Sequence, residues 1–440
     1  MVRPRHQQAR PGRRSLDLRQ VALLLHRYVG LLLAGFLIMT GITGSVIAFQ
    51  DELEGWLNPE LFTTASRGPY LPPSQLQARI TAADPRMELN YFLFDPPAGR
   101  SIVAAIRPLT DPATEQPYAL DFDQVFLDPV TGAILGKRLY GACCFSRQHL
   151  MPFLYELHRE LTAGATGTLI MGIIACLWTV DCFIGFYLTL PRAGPFLAKW
   201  RTAWCIKRGA GTHRLILDWH RASGLWLWLA FFLIAASGVY LTLEDQVFRP
   251  VVSFFSTTRP SPFQEAIERA KLPRDMSKPR LSLDAAIAIA TEEAQRRHWK
   301  IPPTAIFDAP WLGAYGIYFF PATNDRGTGL GTPILYLDDR SGAVIRADVP
   351  GEGSAGDIFT QAQFPLHSGQ IGGLAGRIIV SLLGWVVAGL SITGVILWWR
   401  KRRAAQASRQ KRRQAASNSN SRSPDGLSSD RSRDTNRRRA

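Results

Sequence analysis

Four histidines stand in or beside long apolar runs, and they form two matched sets. His26 opens His26-Arg27-Tyr28-Val29-Gly30, and 220 − 26 = 194 positions later His220 opens His220-Arg221-Ala222-Ser223-Gly224. The same shift lays Thr43-Gly44 on Ser237-Gly238 and Asp51 on Asp245 without a gap. A second shift, 367 − 158 = 209, lays His158 on His367, Gly164 on Gly373, Gly167 on Gly376 and Gly185 on Gly394. An ionisable side chain at the edge of a hydrocarbon layer needs a partner. The plain partner is a carbonyl or a lipid head group, and the chemical one is a metal. Two imidazoles at one depth, presented by different helices, can supply both axial ligands of a b-type haem, whose flat apolar macrocycle slots between helices. One pair at each face gives two haems at depths up to roughly 30 Å apart, a route for electrons across the membrane.

The neighbours of these histidines extend the set. Arg27, Arg159 and Arg221 each directly follow one of them, and a guanidinium there can pair with a haem propionate. Arg27 and Arg221 also satisfy the bias of cytoplasmic loops toward basic residues. Gly30 and Gly224, one turn beyond their histidines, offer clearance for a ring or for helix packing. Asp181, with Leu390 at its repeat position, can hydrogen-bond a ligand histidine, relay a proton or pair with an arginine. His149 and His213 lie near the same faces but match no histidine in the other half, so they rank as substitutes; His298 and His6 read as solvated. Cys143-Cys144 can bond to another molecule, touch a substrate or sit as buried thiols, and five cysteines give no even disulfide framework. Gly369-Gln370-Ile371-Gly372-Gly373 follows no strand, and neither a phosphate-binding Gly-Lys-Ser/Thr loop nor a Cys-x-x-Cys-His is present.

Positioning such pairs takes membrane helices. Apolar runs of about twenty residues, the length that crosses a hydrocarbon core, predict spans at 21–49, 164–190, 215–243 and 367–399. The net charge of +16, from 51 basic and 35 acidic residues, is concentrated in the N-terminus, the 191–214 loop and the tail from 400. These segments lie on one side of a four-helix path, so the charge speaks for cytoplasmic placement rather than nucleic acid. The first run is too long for a cleaved signal and is expected to stay as an anchor. Segments 1–20 and 400–440 are polar and basic and are expected to be disordered.

Segments 50–163 and 244–366 then lie outside. Each reads as a small α+β domain: helical spacing at 75–80 and 283–297, and strand-like runs at 90–94, 101–106, 124–127, 314–320 and 333–337. Leu127-Asp128-Pro129-Val130-Thr131-Gly132-Ala133 matches Leu337-Asp338-Asp339-Arg340-Ser341-Gly342-Ala343 at a shift of 338 − 128 = 210, and Asp and Gly at those places suit a tight hairpin turn. The expected fold is an α-helical membrane protein with four transmembrane helices from a tandem duplication and two outer α+β domains.

Through Leu25-His26-Arg27-Tyr28-Val29-Gly30, Leu157-His158-Arg159-Glu160-Leu161, Trp219-His220-Arg221-Ala222-Ser223-Gly224 and Pro365-Leu366-His367-Ser368-Gly369, the chain resembles the PepSY-associated transmembrane proteins. That family includes iron-regulated membrane proteins and ferric-siderophore reductases of bacterial inner membranes. The likeness covers about residues 20–403, with a departure at Asp181-Cys182. It implies periplasmic PepSY-like domains, an inner-membrane location with both termini cytoplasmic, and two haem b groups with His26, His220, His158 and His367 as ligands. It further implies oxidoreductase activity, passing electrons from an unidentified donor to a ferric siderophore or another periplasmic ferric chelate. Two other functions suit the same fold: PepSY-like domains that bind and regulate a partner without redox activity, or helices that form a path for a siderophore.

Overall fold

The structure, a computed structural model, describes residues 17–271, 279–321 and 328–420. Its principal helices are α1 (Leu18–Ile47), α2 (Pro73–Ala83), α3 (Arg147–Glu160), α4 (Gly164–Thr189), α5 (Thr212–Trp226), α6 (Trp228–Leu243), α7 (Leu283–Arg296), α8 (Gln363–Ser368) and α9 (Gly373–Asn420). Four helical stretches among the described residues are long and apolar enough to cross a bilayer: α1, α4, Trp228–Ser253 and Gln370–Ala415. They form a bundle around Leu33, Leu37, Ile174, Phe231, Leu383 and Val387. Small residues close the seam between α1 and α9, where Ser45 Oγ donates to the Ser381 carbonyl at 2.7 Å and Ser381 Oγ returns a bond to the Ser45 carbonyl at 2.9 Å.

Two expected boundaries are corrected. The third span, 215–243, is not one helix: α5 and α6 break at Leu227, and the apolar helix runs on to Ser253 through a π turn at Glu244–Phe248. The indoles flanking the break are tied to different segments, Trp226 donating to the Trp204 carbonyl at 3.1 Å and Trp228 to that of Cys182 at 2.9 Å. The tail expected to be disordered from residue 400 is helical to Asn420 as the end of α9, because alanine, arginine, lysine and glutamine there are strong helix formers that the charge count overlooks. Residues 1–16 and 421–440 of the two terminal segments lie outside the described residues.

Among the described residues, eight strands lie outside the bundle: β1 (Met87–Leu93), β2 (Ile102–Pro108), β3 (Gln124–Leu127), β4 (Ile134–Arg138), β5 (Ala305–Ala309), β6 (Ala314–Tyr318), β7 (Ile334–Asp338) and β8 (Val344–Asp348). Instead of two separate sheets they build one antiparallel sheet in the order β4-β3-β2-β1-β5-β6-β7-β8. The join is β1 on β5, with Tyr91 opposite Phe307, Phe92 opposite Ile306 and Leu93 opposite Ala305. Helices α2 and α7 share one core with the sheet, in which Leu76, Ile80, Leu283, Ala286 and Ala290 meet Phe92, Ile102, Ile317 and Leu335. The two helices are tied at their starts, the Ser74 backbone N–H donating to Asp284 Oδ1 at 3.1 Å.

The β3–β4 and β7–β8 turns are built as their sequences predict. Asp128 Oδ1 accepts from the N–H groups of Val130 and Thr131, both at 2.9 Å, and Asp338 Oδ1 from those of Arg340 and Ser341 at 3.1 and 2.8 Å. Gly132 and Gly342 take the left-handed backbone, φ 70° and 73°. Burial alone would raise the Asp128 carboxyl, but bonds from the Ser66 and Thr64 side chains and the turn N–H groups hold it well below the usual carboxylate range. At Asp338 burial is likewise outweighed by the turn N–H groups, the Ser341 hydroxyl and Arg269. A carboxyl lowered by folding stabilises fully above its unfolded value, about pH 3.9 for aspartate, and loses that contribution as the pH falls through its folded value. Melting followed by circular dichroism should therefore show a transition that drops below about pH 4. Asp128→Ala should cost about 1–3 kcal/mol at neutral pH, where the carboxylate is charged.

Candidate functional site

The four histidines are presented by four different helices. His26 and His220 lie in the third turns of α1 and α5, and His158 and His367 in the last turns of α3 and α8. Helix α3 stops where Leu161 and Thr162 take the left-handed backbone, φ 56° and 54°, and α8 stops at Gly369, φ 77°. The chain then folds back into a membrane helix from Gly164 or Gly373, both at φ 56°. Gly167 and Gly376 close these joints: a Cβ on Gly167 would collide with the Glu160 carbonyl oxygen, and one on Gly376 with that of Gly369.

The fold brings the four rings together in two pairs. His26 and His220 have centroids 6.2 Å apart with planes at 58°; His158 and His367 are 6.1 Å apart at 66°. Thr43, which touches His158, lies 43 − 26 = 17 residues beyond His26 on α1, so the pairs are separated by about 26 Å along the helix at 1.5 Å per residue.

Each ring is engaged through Nδ1, and none of the four Nε2 atoms has a hydrogen bond among the described residues. His26 Nδ1 lies 3.0 and 3.1 Å from the two carboxylate oxygens of Asp181. His220 Nδ1 lies 3.1 Å from the Leu390 carbonyl and 3.0 Å from Thr393 Oγ1. His158 Nδ1 is 3.0 Å from Thr43 Oγ1, and His367 Nδ1 is 2.9 Å from Ser237 Oγ. The hydroxyl protons are already given to carbonyls of their own helices, Thr43 to Met39, Ser237 to Ile234 and Thr393 to Leu390. All four partners therefore accept from Nδ1–H, which leaves the Nε2 lone pair for a metal.

A glycine flanks every ring. An added Cβ would lie 2.9 Å from the His158 ring at Gly44, 3.4 Å from His26 at Gly185, 3.3 Å from His220 at Gly394 and 4.0 Å from His367 at Gly238. These glycines, with Thr43, Ser237 and Thr393, are residues to which sequence reasoning gave no role. The signal was present in the repeat itself, since both shifts align most of them. Gly30 and Gly224 differ: a Cβ at either would meet nothing within 4 Å.

The ring spacings, 6.2 and 6.1 Å, are close to what two imidazoles on one metal require. With metal–nitrogen bonds of about 2.0–2.1 Å and about 1.1 Å from ring centre to nitrogen, imidazoles on opposite sides of one metal have centroids roughly 6.2–6.4 Å apart. Among the described residues no group of three or more His, Cys, Asp or Glu is placed to hold a metal ion. Two imidazoles suit a metal that already carries four equatorial ligands.

The arginines are less uniform. Arg221 donates to Asp218 at 2.9 Å and to the Thr202 carbonyl at 2.6 Å, and its buried Nε has no partner. Arg27 is half-buried with no hydrogen bond or ion pair among the described residues. Arg159 is held by Glu156 and Glu160 at 3.0 and 3.1 Å, so a propionate would have to displace its own carboxylates. The substitute histidines are not brought in: His149 bonds to Ser146 at 2.7 Å, and His213 is exposed. His298 is exposed, as expected, and His6 lies outside the described residues. Cys143 and Cys144 lie side by side shortly before α3.

No curated protein matches the chain. A family model does, that of the PepSY-associated TM region, over residues 23–401, and the match takes in both histidine pairs, the four membrane helices and the sheet between them. The protein is thus a multi-pass membrane protein that belongs to the PepSY-associated TM family.

Proposed function

We propose that the chain is a tandem duplication carrying two b-type haems, and that it moves electrons across the bacterial inner membrane to a periplasmic ferric chelate. The carrying observation is the spacing of the ring pairs, 6.2 and 6.1 Å, with every Nδ1 held by an acceptor. Bound at each pair, a haem supplies reversible one-electron chemistry at its iron.

The protein's residues do the rest. His26 and His220 hold the cytoplasmic-side group and His158 and His367 the periplasmic one, the basic N-terminus, 191–214 loop and tail fixing that orientation. Gly30 and Gly224 leave clearance, while Arg27 and the free Nε of Arg221 offer positive charge to a propionate. Leu33, Leu37, Phe231 and Leu383 exclude water between the levels. The outer sheet, here two PepSY-like domains joined edge to edge, is where a ferric siderophore docks. Reduction there frees the iron, because a siderophore holds Fe(II) more weakly than Fe(III), and this makes the protein a ferric-siderophore reductase in type. An unidentified donor supplies the electrons on the cytoplasmic side or within the membrane.

Protein purified from haem-replete cells should be red, with a Soret band, sharp visible bands after dithionite and two haems per chain. The reduced form should reoxidise on mixing with ferric siderophores. Colourless protein overturns the haem sites, and red protein that no ferric chelate reoxidises overturns the acceptor.

A further inference from the structure

Three of the four Nδ1 partners are neutral: the Thr43 and Ser237 hydroxyls and the Leu390 carbonyl with Thr393. The fourth is a carboxylate. Asp181, 7% exposed inside α4, turns both oxygens to His26 and has no other hydrogen-bond partner among the described residues. Its repeat position holds Leu390, which serves His220 through its backbone alone. A charge in hydrocarbon is costly without compensation, and the compensation here is one imidazole proton.

Resting on the haem reading, we propose that Asp181 is a positioning residue that lowers the reduction potential of the cytoplasmic-side haem relative to the periplasmic one. By accepting the Nδ1 proton of His26 it gives the ring partial imidazolate character, which makes Nε2 the stronger donor and favours the ferric state. Its negative charge, in a medium that screens poorly, acts in the same direction. Thr43 and Ser237 share their lone pairs with Nδ1 but carry no charge, so the periplasmic pair lacks this bias. One carboxylate thus gives a symmetric frame a downhill direction, outward.

The test is spectroelectrochemical titration of the purified full chain. Each level is read alone: the inner haem in His158→Ala and the outer in His26→Ala. Asp181→Asn keeps the size and an acceptor oxygen but removes the charge; it should raise the inner potential, shifting the equilibrium share of an electron roughly tenfold toward the inner haem. The outer potential should stay in place, and Asp181→Glu should restore most of the difference. An unmoved inner potential in red protein overturns this proposal alone, as does an equal shift at both levels, a glutamate no better than the asparagine, or loss of the inner haem in Asp181→Asn. Colourless unsubstituted protein overturns the haem reading itself.

Discussion

His158→Ala is expected to give a protein with one haem in place of two and with ferric-chelate reduction lowered roughly 100-fold or more. Losing a partner that merely orients a ligand already costs 10- to 100-fold in metal affinity, and this change removes the ligand. The fold should survive. His158 gives one hydrogen bond to Thr43, a net contribution of about 0.5–1.5 kcal/mol, while the α1–α9 seam and the His26–His220 pair lie on other contacts. Pyridine haemochrome analysis and single-turnover reoxidation read the two effects separately. A two-haem variant with unchanged rates would remove His158 from the ligand set; loss of both haems from a folded chain would refute two independent levels.

The second large effect needs no ligand to change. Gly167→Ala places a methyl against the Glu160 carbonyl oxygen, and Gly376→Ala does so against Gly369. Backbone cannot yield as a side-chain tip can, so the joints that carry His158 and His367 must open. The expected cost is about 4 kcal/mol or more, the range reserved for a forced rearrangement. The outer haem should be lost while the inner one stays, as measured by haem content and the midpoint of thermal unfolding. Gly185→Ala is the control: its Cβ finds the His26 ring at 3.4 Å, an ordinary contact, and both haems should remain. Equal behaviour of the two variants would show that the joint does not set the histidine.

Much of this arrangement was legible in the chain because a repeat makes two copies of every clue. The histidine pairs, the joint glycines and the Asp-Gly turns each appear twice, and the structure gives most equivalent members like surroundings, His26 beside Asp181 being the exception. Apolar length located the spans but not the break at Leu227, since hydropathy measures how far a helix reaches and not where its hydrogen bonding is interrupted. The β1–β5 join was hidden because it pairs Tyr91 with Phe307, a contact that no local pattern records, and β4 and β8 are short, half-polar edges. Asp181 was visible as an oddity, but its meaning required knowing that α4 lays it beside a ring on α1.

The shared sheet also bears on how the molecule can move. Its two halves are cross-braced outside the membrane by the β1–β5 ladder, and Tyr91, Phe92 and Leu93 would have to part from their partners before one half rocked against the other. Alternating-access carriers depend on such rocking. On the proposed function, a frame stitched in this way would hold its two histidine pairs at a constant separation, which suits the passage of an electron better than that of a carried solute.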